Sequence, residues 1–589
     1  MNAPATAADG RPLMSHRQIM VVFSGLMLGM LLAALDQTIV STALWTIVQD
    51  LDPVHGLAHQ SWVVTAYLLA STVVTPIYGK LADLYGPKKI FMFAITLFLA
   101  GSAACGMAQN MGELIAFRAL QGLGGGGLMA LVFTIIGVVV PPRDRGKYQG
   151  YFGGVFMLAM VLGPLIGGFF TDRSHLFGVT GWRWIFYVNL PIGVLALIVV
   201  SIVLHVRSSQ VKHKIDYTGA ALVASGASAL LLVTVWGGTS YAWGSATIVG
   251  LIAVGAALLI AFVLWEAKLA TEPILPMHLF RNSIFSVSNS IALVLGMAMM
   301  GSLIYVSTYL QLVVGYSPTM AGLAILPMMA GIMPASIIGG RVISKIGKYK
   351  AFPIAGTAIA AFGMFLMSRL TETTSAAERG VFMFVLGLGM GLVMPVLTLA
   401  VQNALPFKDI GTGTSANLFF RNIGGSFGTA IFGAVLINRF SHYAATELPR
   451  GGGVSGGGSP NGLSRKALDA LNAQRPGTEA AILHIFVQAM SVVFLVAAAT
   501  MLVAWVLSLF LKQVTLRSAG VPRTAGADTS STTNTDTGTE NGTSADTGTS
   551  TAASTGAGPG AALGTDTSST GDAAGDEAVA TSGAAPVMH

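Results

Sequence analysis

Apolar stretches of about twenty residues, nearly free of charge, follow one another from Ile19 to Lys512 with short polar turns between them. Twenty helical residues cover about 30 Å, the depth of a bilayer's hydrocarbon core, so each stretch reads as one membrane-spanning helix. Fourteen such stretches begin near Ile19, Ser61, Ile90, Leu114, Tyr148, Trp184, Tyr217, Thr247, Ser286, Met320, Ala351, Val381, Ala416 and Ile482. The pattern predicts an all-α integral membrane protein of 14 transmembrane helices; the pair between Tyr217 and Trp265 is the part on which the count turns. The first stretch is too long for a signal-peptide core and has no clear cleavage site, so it reads as a retained first span.

Charge orients these spans. With an inside N-terminus, the inner loops hold Lys80, Lys88, Lys89, Arg143, Arg145, Lys147, Arg207, Lys212, Lys214, Arg341, Lys345, Lys348 and Lys350. The outer loops near Asp50–Gln60, Gln109–Gly112, Gly237–Ser245 and Gly315–Thr319 hold no Lys or Arg. That asymmetry places both termini in the cytoplasm. The net charge of +7 therefore reflects orientation. Its basic residues are scattered over many loops, which argues against a nucleic-acid site.

The loop Gly79-Lys80-Leu81-Ala82-Asp83-Leu84-Tyr85-Gly86-Pro87-Lys88-Lys89 has a weaker echo in Gly340-Arg341-Val342-Ile343-Ser344-Lys345-Ile346-Gly347-Lys348-Tyr349-Lys350, 261 positions on (340 − 79). The same offset carries Gly163 and Gly167 onto Gly424 and Gly428. Span five then matches span thirteen, which requires two six-span halves with two additional spans between them, the architecture of a transporter built from parallel repeats. The segments are an arm (1–18), a first half (19–206), the additional pair with its loops (207–268), a second half (269–512) with a long outer loop at about 439–480, and a tail (513–589).

Composition agrees with a lipid environment: 53% of residues are hydrophobic, 10% are charged and the mean hydropathy is +0.70. The single cysteine, Cys105, excludes an intrachain disulfide and reads as a small core residue. From about Arg523 the chain turns to Thr, Ser, Gly and Ala with eight acids and no Lys or Arg. Such a segment buries too little apolar surface to offset its ordering entropy and is expected to be disordered.

Several motifs resemble the fourteen-span drug:proton antiporters of the major facilitator superfamily. The basic hairpin resembles the superfamily's loop between spans two and three, and Leu35-Asp36-Gln37-Thr38-Ile39-Val40 the branch's first-span motif. Arg118-Ala119-Leu120-Gln121-Gly122 resembles the fourth-span motif. The fifth-span antiporter motif is matched by Gly150, Ala159, Gly163, Pro164, Gly167 and Gly168, with Ala159 in place of one glycine. Trp182-Arg183-Trp184-Ile185-Phe186, Asn189-Leu190-Pro191 and Gln311 with Gly315-Tyr316-Ser317 are also similar. The resemblance covers about Gln18 to Lys512. It implies the major facilitator fold and export of small lipophilic or cationic compounds in exchange for protons across the cytoplasmic membrane, with no cofactor beyond the proton gradient. The partners implied are the lipid bilayer, protons and a small-molecule substrate, and the unit a monomer.

An acid inside a span costs about 2.5–3.5 kcal/mol on insertion scales and so faces the bundle interior, where it marks a relay or pathway. Asp36 shares a helical face with Gly25, Gly29 and Ala33, which turns it inward. It is the candidate proton-coupling group; the alternative is a cap on a neighbouring helix. Arg118 needs an acid or backbone carbonyls as partners, or else snorkels to the outer interface. Arg421, near the inner end of span thirteen, reads as structural, with second-half coupling as its alternative. Asp83, in the inner hairpin with Gly79, Gly86, Lys88 and Lys89, can accept from a helix N-terminus or from Arg143, Arg145 or Lys147, a latch for the inner side. Ser344 occupies its matched position, so the latch is one-sided. The Gly163-Pro164 stripe reads equally as a seal against leakage and as a packing kink.

No phosphate-cradling Gly-x-x-x-x-Gly-Lys-[Ser/Thr] loop, no Gly-x-Ser-x-Gly elbow and no His cluster with metal-ligand spacing is present, so the chain does not read as an enzyme. An exporter of one metabolite, siderophore or lipid remains open, as does a membrane sensor without flux. Truncation after Arg523 is expected to leave transport unchanged; lost resistance at equal membrane abundance would place the tail inside the functional unit.

Overall fold

The computed structural model describes residues 16–52, 56–173, 175–204, 215–238, 240–447 and 478–516. The tail beyond position 516, the arm to position 15, Arg207, Lys212, Lys214 and most of the long outer segment lie outside the described residues. The spans are α1 (His16–Leu51), α2 (Gly56–Tyr85), α3 (Pro87–Met107), α4 (Met111–Val139), α5 (Phe152–Thr171), α6 (Asn189–Val203), α7 (Tyr217–Trp236), α8 (Ala246–Lys268), α9 (Ser283–Leu312), α10 (Leu326–Ile346), α11 (Ala351–Met367), α12 (Ala376–Ala404), α13 (Ile410–Glu447) and α14 (Thr478–Leu509). Thirteen helical stretches in the described chain are long and apolar enough to cross a bilayer, and α11 is a shorter apolar helix of 17 residues. Span ten starts later than its hydropathy suggests. A short helix, Pro318–Ala324, precedes α10, and Pro327, which has no amide to donate, marks the break.

The 261-residue repeat has a backbone signature. Gly86 ends α2 at φ 90° and Gly347 ends α10 at φ 74°, both in the region that side chains avoid. Each half has its own apolar core. Phe91, Phe98 and Leu131 lie in the first, and Tyr309, Met364 and Phe486 in the second. The additional pair α7–α8 packs against α2 and α13, where Val223, Ala227 and Leu231 meet Val73 and Phe419, and Trp62 meets Trp236 edge-on at 5.7 Å. Asp216 caps α7 and accepts from Trp265 Nε1 at 3.0 Å. Glu266 accepts from the amides of Ile274 and Leu275, which fastens the connection into the second half.

At the face opposite the basic loops, two short strands, β1 (His175–Leu176) and β2 (Val179–Thr180), precede Trp182. Trp182 donates to Asp50 at 2.7 Å, and Arg183 donates to the carbonyls of Gly106 and Ala108. These contacts brace the ends of α1 and α3.

Candidate functional site

Asp36 is fully buried where α1, α4 and α6 meet. Gly25 and Gly29, two turns and one turn before Ala33 on the same stripe, bring α1 against Val199 of α6 and Phe91 of α3. One Asp36 oxygen accepts from Arg118 Nη1 at 2.6 Å; the other accepts from Gln121 Nε2 at 2.8 Å and Asn189 Nδ2 at 3.0 Å. Arg118 also donates to Val63 O at 3.2 Å and to Gln121 Oε1 at 2.7 Å, and lies 4.3 Å from the centre of the Tyr67 ring. Ser102 accepts from Gln121 and Asn189 and donates to Phe186 O. Arg118 is 1% exposed, so it is no snorkelling anchor. The array holds an acid and a base in contact, out of reach of water, with neutral amides that orient the carboxylate. A buried pair of this kind resists loss of either partner, since the remaining charge is left uncompensated at a cost of about 3–5 kcal/mol.

Asp83 lies at the seam between the halves. It accepts from the backbone amides of Gly411 and Thr412 at 2.8 and 2.7 Å and from Thr412 Oγ1 at 2.8 Å. These amides open α13 and have no partner within the helix, so a carboxylate there also meets the positive end of its dipole. Gly79 is required one turn earlier, because a Cβ would run into Ser415 and Gly411 O. Arg143 and Arg145 do not reach Asp83. Arg143 donates to the carbonyls of Ser344 and Lys345 at 2.8 and 3.0 Å, and Arg145 to Val140 O at 2.9 Å and Gln402 O. Lys88 turns away to Ser201 O at 2.8 Å, and Lys89 is exposed. Gln402 of α12 accepts from Gln149 and donates to Phe133 O and Thr414. Gly146 and Gly340 meet backbone to backbone. These hydrogen bonds between the halves lie on the basic face, which is closed.

Residues 26–429 match the Major Facilitator Superfamily. The chain belongs to that superfamily. An uncharacterised MFS-type transporter of Mycobacterium tuberculosis is 40% identical over 516 residues, 87% of this chain and 72% of its own length. The multidrug transporter protein MdtP of Bacillus subtilis is 41% identical over 428 residues, 73% of this chain and 77% of its own. Multidrug resistance protein 3 of the same bacterium is 37% identical over 501 residues, 84% and 96% of the two chains. Among solved structures, the human organic anion transporter MFSD10 superposes with a TM-score of 0.56 at 13% identity, over 83% of this chain and 99% of its own. The proton:xylose symporter XylE gives 0.55 at 14%, over 85% and 98%. At such identity these two bear on the fold alone.

As a major facilitator the chain is a membrane transporter and not an enzyme, and its span-five stripe serves two contacts. Gly150 lies against Ser336 and Ile337 of α10, across the halves. Ala159, Gly163 and Gly167 lie against α1: Thr38 donates to Ala159 O at 3.0 Å, and a Cβ on Gly163 would strike Thr38. Alanine at 159 is therefore compatible with the approach. Gly168 has nothing within 4 Å, and Pro164 sits beside Gly322 of the helix before α10.

Arg421 lies eleven residues into α13, which begins at Ile410 and not near Ala416. Tyr67, Ser102, Gln402 and Thr412 were not evident as site residues, and Asn189 was evident only within its motif. The one available signal was polarity inside apolar runs.

Proposed function

We propose that this major facilitator exports small lipophilic compounds from the cell in exchange for protons. The observation that carries the reading is the sealed Asp36–Arg118 pair. It is a titratable acid held out of water by a fixed cation and by amides that accommodate either protonation state. A proton on Asp36 releases Arg118, whose remaining acceptors are Gln121 Oε1 and Val63 O, and the altered balance shifts α1 against α4 and α6. Such a shift drives transport only if it favours one closure of the bundle over the other. The Asp83 latch supplies the second closure, holding the basic face shut while cargo leaves on the far side. The multidrug names of the Bacillus relatives support export of varied cargo, and the basic loops support a cytoplasmic placement of the closed face.

The test is drug susceptibility in a host stripped of its own efflux pumps, paired with dye accumulation in everted vesicles under an imposed pH gradient. Resistance and gradient-dependent accumulation are the expected results. Membrane insertion without either outcome would favour a sensor and overturn the export reading.

A further inference from the structure

Charges inside the spans do not balance. Asp36 and Arg118 neutralise each other, and the second half offers no counterpart: Met297 stands 261 positions after Asp36. Its described acids, Glu272, Glu372, Glu378, Asp409, Glu447 and Glu479, all lie in loops or helix-end turns. Arg421 is left as a cation eleven residues beyond Ile410, roughly 16 Å along α13 from its start. Among the described residues it has neither an ion-pair nor a hydrogen-bond partner, and its side chain is half-buried.

The face of α13 that carries Arg421 points into the bundle. Four residues earlier Asn417 bonds to α9 and α12; seven earlier Thr414 bonds to Gln402 of α12. Beyond it Gly424, Gly425 and Gly428 lie against α9. Leu418, next to Asn417, packs into the core of the first half, so this stretch of α13 adjoins the seam between the halves. One turn below Arg421 a hydrogen-bond chain runs in one direction. Thr398 Oγ1 donates to Asn417 Oδ1 at 3.2 Å, Asn417 Nδ2 donates to Asn289 Oδ1 at 3.1 Å, and Asn289 Nδ2 is buried with no acceptor.

Near Arg421 this stretch of the seam thus presents an unpartnered guanidinium and the unpartnered amide donor of Asn289. A guanidinium that cannot shed its proton recognises a planar, bidentate anion best. We propose that Arg421, assisted by Asn289, binds the carboxylate of amphiphilic cargo. The transporter then favours anionic and zwitterionic compounds over permanent cations, whereas the sequence resemblance implied lipophilic or cationic cargo. The inference rests on the export reading for its purpose but not for its chemistry.

The test uses full-length protein in detergent, with rhodamine B and its ethyl ester as matched probes that differ in the carboxylate. Fluorescence anisotropy titration is expected to give about tenfold tighter binding of the acid, the scale of one charge-assisted contact. Arg421→Gln should bring the acid-to-ester ratio close to one, while Arg421→Lys, which keeps the charge but not the fork, retains part of the preference. Ester binding by the variants reports an intact fold. Equal binding of both dyes by the wild type, or an unchanged ratio in Arg421→Gln, overturns the proposal. Vesicle flux separates the two readings. Preference without export removes the export reading and leaves the site; export of both dyes with equal affinity removes the site and leaves export.

Discussion

Asp36→Asn is expected to abolish the proposed export driven by a pH gradient. The variant preserves the volume of the side chain and most of its hydrogen bonds to Gln121 and Asn189, but it removes the titrating group and leaves Arg118 without its counter-ion. Two consequences are separable. Loss of titration removes coupling altogether, so gradient-driven accumulation falls to the level of empty vesicles. Loss of the counter-ion costs about 3–5 kcal/mol of stability, because a buried charge is left uncompensated. The double variant Asp36→Asn with Arg118→Gln should recover thermal stability without recovering gradient-driven transport. Normal gradient-driven transport by Asp36→Asn at matched abundance would remove Asp36 from coupling.

Asp83→Asn slows turnover with little change in cargo affinity. The carboxylate takes three hydrogen bonds from the first turn of α13, and the amide that replaces it turns an N–H toward backbone donors. Charge-assisted bonds at a helix N-terminus contribute about 1–3 kcal/mol, enough to move the balance between closed and open basic face by roughly five- to 150-fold. Spin labels at positions 89 and 350, on the basic loops of the two halves, should report a longer mean distance in the variant. Gly79→Val should act in the same direction and more strongly, since its side chain would occupy the space of Ser415 and Gly411 O. A collapse of binding with unchanged turnover per bound molecule would contradict the latch.

The sequence revealed most where a rare residue stood in a costly place. Asp36 and Arg118 stood out as candidates because charge inside a span is expensive. That they pair, 82 positions apart, depends on how α1 and α4 cross, which apolar runs do not encode. Asn189, Ser102 and Gln121 complete the array as neutral polar residues, a class common enough in spans to carry no signal alone. The two halves were legible from an exact offset between glycine-bracketed loops, and Gly86 and Gly347 show why: both turns need a backbone that other residues resist. Asp83 read as a candidate latch with two possible sets of partners. Its true partner, the first turn of α13, was hidden because that helix begins six residues before its apolar run, at Ile410 and not Ala416.

Coupled movement of protons and cargo is the claim on which the account stands. Everted vesicles holding the full chain are acidified inside, the pH gradient is followed with a quenched acridine dye, and cargo is then added. The account predicts that cargo partly dissipates the gradient in wild-type vesicles and not in those with Asp36→Asn, while nigericin, which collapses the gradient, stops cargo accumulation. Cargo accumulation that persists after the gradient is collapsed, with no proton movement on its addition, would contradict it.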